Sequence, residues 1–482
     1  SQNILIPMVA FVLIFKTPYT MVNLLLHLVT FFATAMVCHG NLAKHKPSTK
    51  YLTEYYVWIS FGGMLGGVFN SVIALNLFTN PVEYMYVFIF ALFLRPAASA
   101  QVANLRSYMR DVLVAAVITA IVSAVFVACY KFINNFGDLL LANEIARDMN
   151  AANVMADNAQ FLIVIGFYVM LMFIVDRIKD RPVQFGLCVF LLLFFANNQL
   201  FDPTRHSRMY AERSFFGLTT VALFQAGDDY VIRMIHGITT HGQQSQNPEK
   251  KLHPTAYYAP LKLFIKSIDR SVSHSPYAVM GLGAGTLACV GHKSQHVDFF
   301  EIDPVVIHMA ENTKYFTYLK DCPTKSTVIL GDGRLKIAEA KDHKYSFIVM
   351  DAFTSDAIPT HLITREALAT YRQKITKNGF IAFNISNRHI DLRYVLAKLA
   401  RNAGMNAILL HDDGTSDPLY FSSTWVVLTH DDHFYTKLSK YVTDSMYIKD
   451  LNELNTSSTS LWSDNFTNIL ETLKVLRNFR EN

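Results

Sequence analysis

Charge is scarce in this chain. Lys, Arg, Asp and Glu make up 17% of its 482 residues, against the roughly 25% usual in soluble domains. The shortage is uneven. Residues 1–200 hold 12 basic and 9 acidic side chains, and residues 201–482 hold the remaining 31 and 29. This excludes a single soluble globule, a disordered chain and a protein hydrophobic throughout. It leaves a membrane half joined to a water-soluble half. A strong basic excess is also missing. The net charge of +5 is too mild to argue for nucleic acid. Cysteines are few. Cys38, Cys129, Cys188, Cys289 and Cys322 show no CxxC spacing, which excludes a disulfide scaffold and a Cys-type zinc site and points to free, buried thiols. The histidines lack HExxH-like spacing, so no metal is expected.

What is there begins with long apolar runs. A spanning helix needs roughly 20 apolar residues. Candidates are Ile4–Phe15, Tyr19–Cys38, Tyr55–Phe78, Val82–Leu94, Val112–Tyr130, Phe161–Val175 and Val183–Leu200, a bundle of about seven spans over residues 1–200. No run has a charge near its middle, which counts against an ion-coupled transporter. Gly62, Gly63, Gly66 and Gly67 predict a close helix contact. Asn23 and His27, four apart, predict hydrogen bonding between helices. Loops carrying Lys44, Lys46 and Lys50, then Arg95, Arg106 and Arg110, then Arg177, Lys179 and Arg181 fall on one side, and the positive-inside rule makes that side cytoplasmic. The same count puts the soluble half outside.

The soluble half opens with strands Phe215–Phe224 and Tyr230–Ile235 around Gly227-Asp228-Asp229, a small hairpin domain over residues 201–274. His241–His253 reads as a loop. From residue 275 to 482 strands alternate with helices. The strands are Tyr277–Met280, His296–Phe300, Thr327–Leu330, Phe347–Met350, Phe380–Ile385, Ile408–Leu410 and Trp425–Thr429. This is the pattern of an α/β, doubly wound, mostly parallel sheet of the Rossmann-like kind.

Gly281, Gly283 and Gly285 follow the first of these strands, where a ligand can approach the backbone. Glu301 ends the next strand 20 positions after Gly281, the place of a ribose-binding acid. Asp332, before Gly333, ends the third strand and Asp351 the fourth. Each acid alone reads as a helix cap. Three at successive strand ends point to a nucleoside site.

At these residues the chain resembles a family. Residues 275–430 look like the spermidine synthase branch of the S-adenosylmethionine-dependent, methyltransferase-type fold. The whole chain is similar to bacterial membrane proteins that fuse a multi-span region to such a domain. The matching motifs are Tyr55–Asn70, Arg213–Gly217, His236–Gln243, Tyr257-Tyr258, Gly281–Thr286, Phe300–Pro304, Gly331–Arg334, Asp351–Pro359, Ser386-Asn387-Arg388 and Leu461–Asp464. The resemblance implies that the Gly281–Gly285 loop and Glu301 hold the methionine portion and ribose. It implies that Asp332 binds adenine and that Asp351 is the catalytic acid. Gln243 and Tyr257 would close the site.

Three departures bear on the reaction. Ala284 stands where the family has an Asp for the donor's amine. The second catalytic acid, expected three positions after the first, is instead Asp356. The Tyr-His-Glu segment reads Tyr257-Tyr258-Ala259. An Ala in the loop leaves room for the carboxylate of intact S-adenosylmethionine. The expectation is therefore an enzyme that takes S-adenosylmethionine, or its decarboxylated form, and releases methylthioadenosine. It would act by aminopropyl or aminocarboxypropyl transfer, or as a lyase. The alternatives are a methyltransferase with a membrane-borne acceptor and a non-catalytic nucleoside sensor or transporter. The expected partners are the nucleoside and the lipid bilayer; a homo-oligomer is left open. The resemblance implies a bacterial inner membrane. A cytosolic metabolite outweighs the loop count, so the catalytic domain is expected on the cytoplasmic side.

Overall fold

The computed structural model describes residues 20–80, 82–94, 109–122, 183–191 and 207–474, the last without 238, 268–273, 354–357, 388 and 415–416, together with isolated positions before residue 207. The chain divides into two compact units, Ser1–Arg205 and His206–Asn482.

In the first unit, two helical runs among the described residues are long and apolar enough to cross a membrane, Val22–Lys44 and Thr49–Leu77. The first belongs to α1, Thr20–Lys44. The second holds α2, Leu52–Val68, a π turn at Phe69–Ile73 and α3, Ala74–Leu77. Helix α4, Glu83–Phe93, is apolar but shorter. The expected bond between helices exists: His27 Nδ1 lies 2.8 Å from the Tyr84 hydroxyl, which joins α1 to α4. Among the described residues nothing meets the glycine face. A Cβ added at Gly62, Gly63, Gly66 or Gly67 would meet nothing within 4 Å. Expected spans Ile4–Phe15, Val112–Tyr130, Phe161–Val175 and Val183–Leu200 lie wholly or partly outside the described residues.

The second unit has two sheets. The smaller is an antiparallel meander of β1 (Arg208–Ser214), β2 (Gly217–Ala226), β3 (Asp229–His236) and β4 (Thr239–Ser245). The segment read as a loop from His241 therefore begins inside a strand. Its polar sequence hides the strand because β4 pairs with β3 across a register shift at Met234/Ile235. Its buried side chains, Gln243, Gln244 and Ser245, are polar ones met by hydrogen bonds.

The larger sheet contains β5 (Tyr277–Met280), β6 (His296–Glu301), β7 (Lys325–Leu330), β8 (Tyr345–Met350), β9 (Ile375–Asn384), β10 (Asn406–Asp412), β11 (Ser423–Thr429) and β12 (Met446–Asp450). Their spatial order is β7-β6-β5-β8-β9-β11-β10-β12. The first five run parallel, and β11 is antiparallel to both β9 and β10. Strand β12, absent from the sequence reading, pairs antiparallel with β10 and alternates its exposure at the sheet edge. The order reverses between β5 and β8, and a crevice opens beyond the strand ends at such a switch point.

Apolar side chains fill both faces. On one, Tyr277, Phe347 and Phe380 stack across β5, β8 and β9, with ring centroids 4.6 Å and 5.1 Å apart. Burial of each such ring is worth about 2–3 kcal/mol before entropy is counted. Polar side chains cap helix starts. Asp303 accepts from the Val305 amide at α5 (Pro304–Glu311), and Thr364 accepts from the Ala367 amide at α6 (Arg365–Lys374). Cys289 and Cys322 form a disulfide, with Cα atoms 4.9 Å apart. This corrects the free-thiol reading for these two residues. They lie 33 apart in sequence, and no local pattern announces a pairing over that distance. Cys38 and Cys188 are free.

Candidate functional site

The ends of β5, β6, β7 and β8 surround a cavity of about 370 Å³, and the small sheet contributes to its wall. Gly281, Gly283, Glu301, Asp332, Gly333, Asp351 and Tyr257 all line it. Backbone proximity explains the glycines. Gly281 has φ +94°, and a Cβ there would come 2.5 Å from the carbonyl oxygen of Asp351. Gly283 has φ +52°, and its Cβ would run into the His241 carbonyl. Gly285, with φ +81°, faces Leu319 and Tyr318 instead of the cavity.

Glu301 is buried, and burial pushes its carboxyl pKa up while backbone amides oppose the shift. One oxygen accepts from the Leu282 amide and the other from the Asp303 amide, each at 2.9 Å. The carboxylate is thus locked between the glycine loop and β6. Each oxygen has a lone pair left for a ligand hydroxyl.

Asp351 has one oxygen 2.7 Å from the Tyr258 hydroxyl and the other 2.8 Å from Asn384 Nδ2, and both groups donate to it. Burial raises its pKa from 3.8 to about 7, although both hydrogen bonds pull it down. Tyr257 lines the cavity, with its hydroxyl oxygen 3.3 Å from that of Tyr258. Trp425 Nε1 donates to the Tyr257 carbonyl at 3.0 Å and pins the segment to β11. Tyr258 and Asn384 were missed in the sequence. Asn384 is the last residue of β9, so carrying the strand-end rule one strand further would have found it.

Asp332 caps the helix at Gly333–Ala338 through the Leu335 amide at 3.0 Å, and its other oxygen lies 3.0 Å from His361 Nε2. The next motif residue, Arg334, makes a two-pronged ion pair with Asp464, at 2.7 Å for each bond. The Arg334 pair holds the Asp464 carboxyl down at about 2. The Gly331–Arg334 and Leu461–Asp464 motifs are therefore one clamp.

Gln243 does not line the cavity. It accepts from Arg233 Nε and donates to the Leu419 carbonyl, both at 2.8 Å, so its side chain braces the small sheet. Ala284 is fully buried, and a Cβ on Gly242 would come 2.8 Å from its methyl. The space beside residue 284 is filled by β4 and is not open to a ligand. Asp356 lies outside the described residues.

The small sheet's other motif residues serve docking. Ser214 donates to Asp303 at 2.7 Å. His236 Nε2 donates to the Phe216 carbonyl at 2.9 Å. None of the described lining residues is Lys or Arg, whereas four are Asp or Glu. A cationic ligand fits this wall; no cluster of metal-binding side chains occurs among the described residues.

No family model matches the chain. It is 32% identical over 145 residues to a polyamine aminopropyltransferase from Vibrio vulnificus, covering 29% of this chain and 46% of that one. It is 32% identical over 123 residues to an N-terminal histidine N-methyltransferase from Emericella nidulans, covering 24% and 21%. The matched region thus spans less than half of these curated relatives. Among solved structures, a probable spermidine synthase from Corynebacterium glutamicum aligns at 12% identity and TM-score 0.40, covering 53% of this chain and 94% of that one. Spermidine synthase from Thermotoga maritima aligns at 14% and 0.33, covering 48% and 75%.

Proposed function

We propose that this chain is a membrane-integrated, spermidine synthase-like transferase that binds S-adenosylmethionine or its decarboxylated form and releases methylthioadenosine. The observation that carries the reading is Asp351, held by Tyr258 and Asn384 in the wall that also contains the glycine loop and Glu301. In this reading Glu301 takes the ribose hydroxyls and Asp332 faces the adenine. An acceptor amine attacks the carbon bonded to the sulfonium. The new C–N bond forms as the C–S bond breaks, and its electron pair stays on sulfur in neutral methylthioadenosine. The proton leaving the amine goes to Asp351, whose pKa of about 7 suits a base working near neutrality. The sulfonium is a good leaving group, so the protein's task is to position the amine and keep water out.

The two apolar helical runs support anchoring in a bilayer, for which we take a bacterial inner membrane. A methyltransferase acting on a membrane-borne acceptor would release S-adenosylhomocysteine. Mass analysis of the nucleoside made by the full chain in lipid nanodiscs, from either donor with and without a diamine, decides between them. Methylthioadenosine is expected. Asp351→Asn should lower kcat by about 100-fold or more and change methylthioadenosine affinity by less than about threefold. S-adenosylhomocysteine as the product, or unchanged turnover in Asp351→Asn, sinks the assignment.

A further inference from the structure

The turn between β1 and β2 is short. It consists of Phe215 and Phe216 and is closed by the pairing of Ser214 with Gly217. Turns of this length favour Gly, Asn and Asp, whose backbones and short side chains suit them. Two phenyl rings are the opposite choice. Phe215 is 80% exposed, more than any other large apolar side chain among the described residues. Its backbone is nevertheless well held. Ser214 Oγ donates to Asp303 at 2.7 Å and accepts from the Phe216 amide at 3.1 Å, and His236 Nε2 donates to the Phe216 carbonyl at 2.9 Å. A Cβ on Gly217 would run into the His236 ring, so glycine is what lets the turn close against β3. Phe216 meets Phe215 edge-on, with ring centroids 5.6 Å apart. The turn is thus fixed at the end of β6, and both phenylalanines line the cavity.

The place of this turn selects what its ring can meet. Ser214 is bonded to Asp303, and the neighbouring Ile302, 45% exposed, and Val306 are apolar lining residues of the same stretch. Apolar lining therefore gathers at the end of β6. In the proposed reading β6 carries the ribose acid Glu301, and β7 beside it carries Asp332, which faces the base. The reacting centre at Asp351 belongs to β8, on the far side of β5. The part of a nucleoside on the β6 and β7 side is its base, a flat ring with a polar edge and two apolar faces. The acids can meet the edge, and an exposed phenyl ring offers a stacking partner for a face. We infer that Phe215 is a platform for the nucleobase, closing on the face of the purine whose edge Asp332 reads. This rests on the nucleoside reading above and adds to it the group that covers the base.

The test titrates the full chain in nanodiscs with methylthioadenosine. Phe215 is exposed and outside the hydrophobic core, so its variants should melt with the unsubstituted chain. Phe215→Ala is expected to weaken methylthioadenosine by about tenfold, the loss of one base-aromatic stack. Phe215→Leu, apolar but without a π face, should recover only part of this. Phe215→Trp should keep the affinity, and the emission of its added indole should be quenched by the nucleoside with the midpoint found by calorimetry. Unchanged affinity in Phe215→Ala, or an added indole that does not respond to the nucleoside, overturns the proposal. Failure of the unsubstituted chain to bind methylthioadenosine overturns instead the nucleoside reading on which it rests, and the proposal falls with it.

Discussion

Asp351 sets the pH behaviour at the residue scale. Its carboxyl titrates at about 7 in the fold against 3.8 in an exposed chain. The folded unit therefore binds this proton more tightly than the unfolded chain does. The stability it contributes is fully present below about pH 4 and is lost as pH rises through about 7. On the proposed reading activity runs the other way, because Asp351 must be ionised to act as a base. The pH profile of kcat/KM should rise through about 7. Tyr258→Phe removes a donor to the carboxylate and should move that limb to higher pH. Kinetics between pH 5.5 and 9 measure both, and a profile that is flat through 7 would refute the role of Asp351 as base. The acid itself was legible because strand ends in this fold face the ligand. Its partners were not. Tyr258 and Tyr257 are adjacent in sequence, and nothing local says that one hydroxyl meets the carboxylate while the other lines the cavity.

Elements explain why the glycine loop was only half legible. The turn after β5 could be read from its glycines, and β5 itself falls at Tyr277–Met280 in both sequence and structure. The covering element could not be read, because β4 carries Gly242, Gln243 and Gln244 where an apolar alternation would signal a strand. As a result Ala284 looked like an opening for a carboxylate, whereas Gly242 closes it. Restoring the acid there should not restore a binding group. Ala284→Asp would bury an unpaired carboxylate against β4 at a cost of several kcal/mol, lowering Tm by about 6 °C or more in a unit of this size. Ala284→Gly, which only removes a buried methyl, should cost about 1 kcal/mol. Calorimetry on the two variants separates a filled contact from an open subsite. A tolerated Asp that tightens binding of the decarboxylated donor would show the subsite to be open.

At the scale of the whole molecule, the uneven charge distribution divided the chain near residue 200, and the contacts separate its two units after Arg205. The side of the membrane on which the second unit lies depends on two observations of different kinds. In the sequence, basic loops such as the one with Lys44, Lys46 and Lys50 mark one side as cytoplasmic, and a count of seven spans, four of which lie wholly or partly outside the described residues, would put the second unit opposite. The disulfide Cys289–Cys322 points the same way, because such bonds persist where the compartment is oxidising and are rare in a reducing cytosol. Against both stands the cytosolic origin expected for the nucleoside. The disulfide ties the segment after the glycine loop to Cys322, which follows the helical turn Tyr318–Asp321. The expected outcome is that the second unit lies outside, opposite to the cytoplasmic placement expected from the sequence. Alkaline phosphatase fused after residue 482 should be active and a fluorescent protein fused there dark. Thiol labelling of denatured chain should gain two labels on reduction, a gain abolished by Cys289→Ser. A dark phosphatase with both cysteines already reactive before reduction would return the unit to the cytosol, on the same side as its substrate.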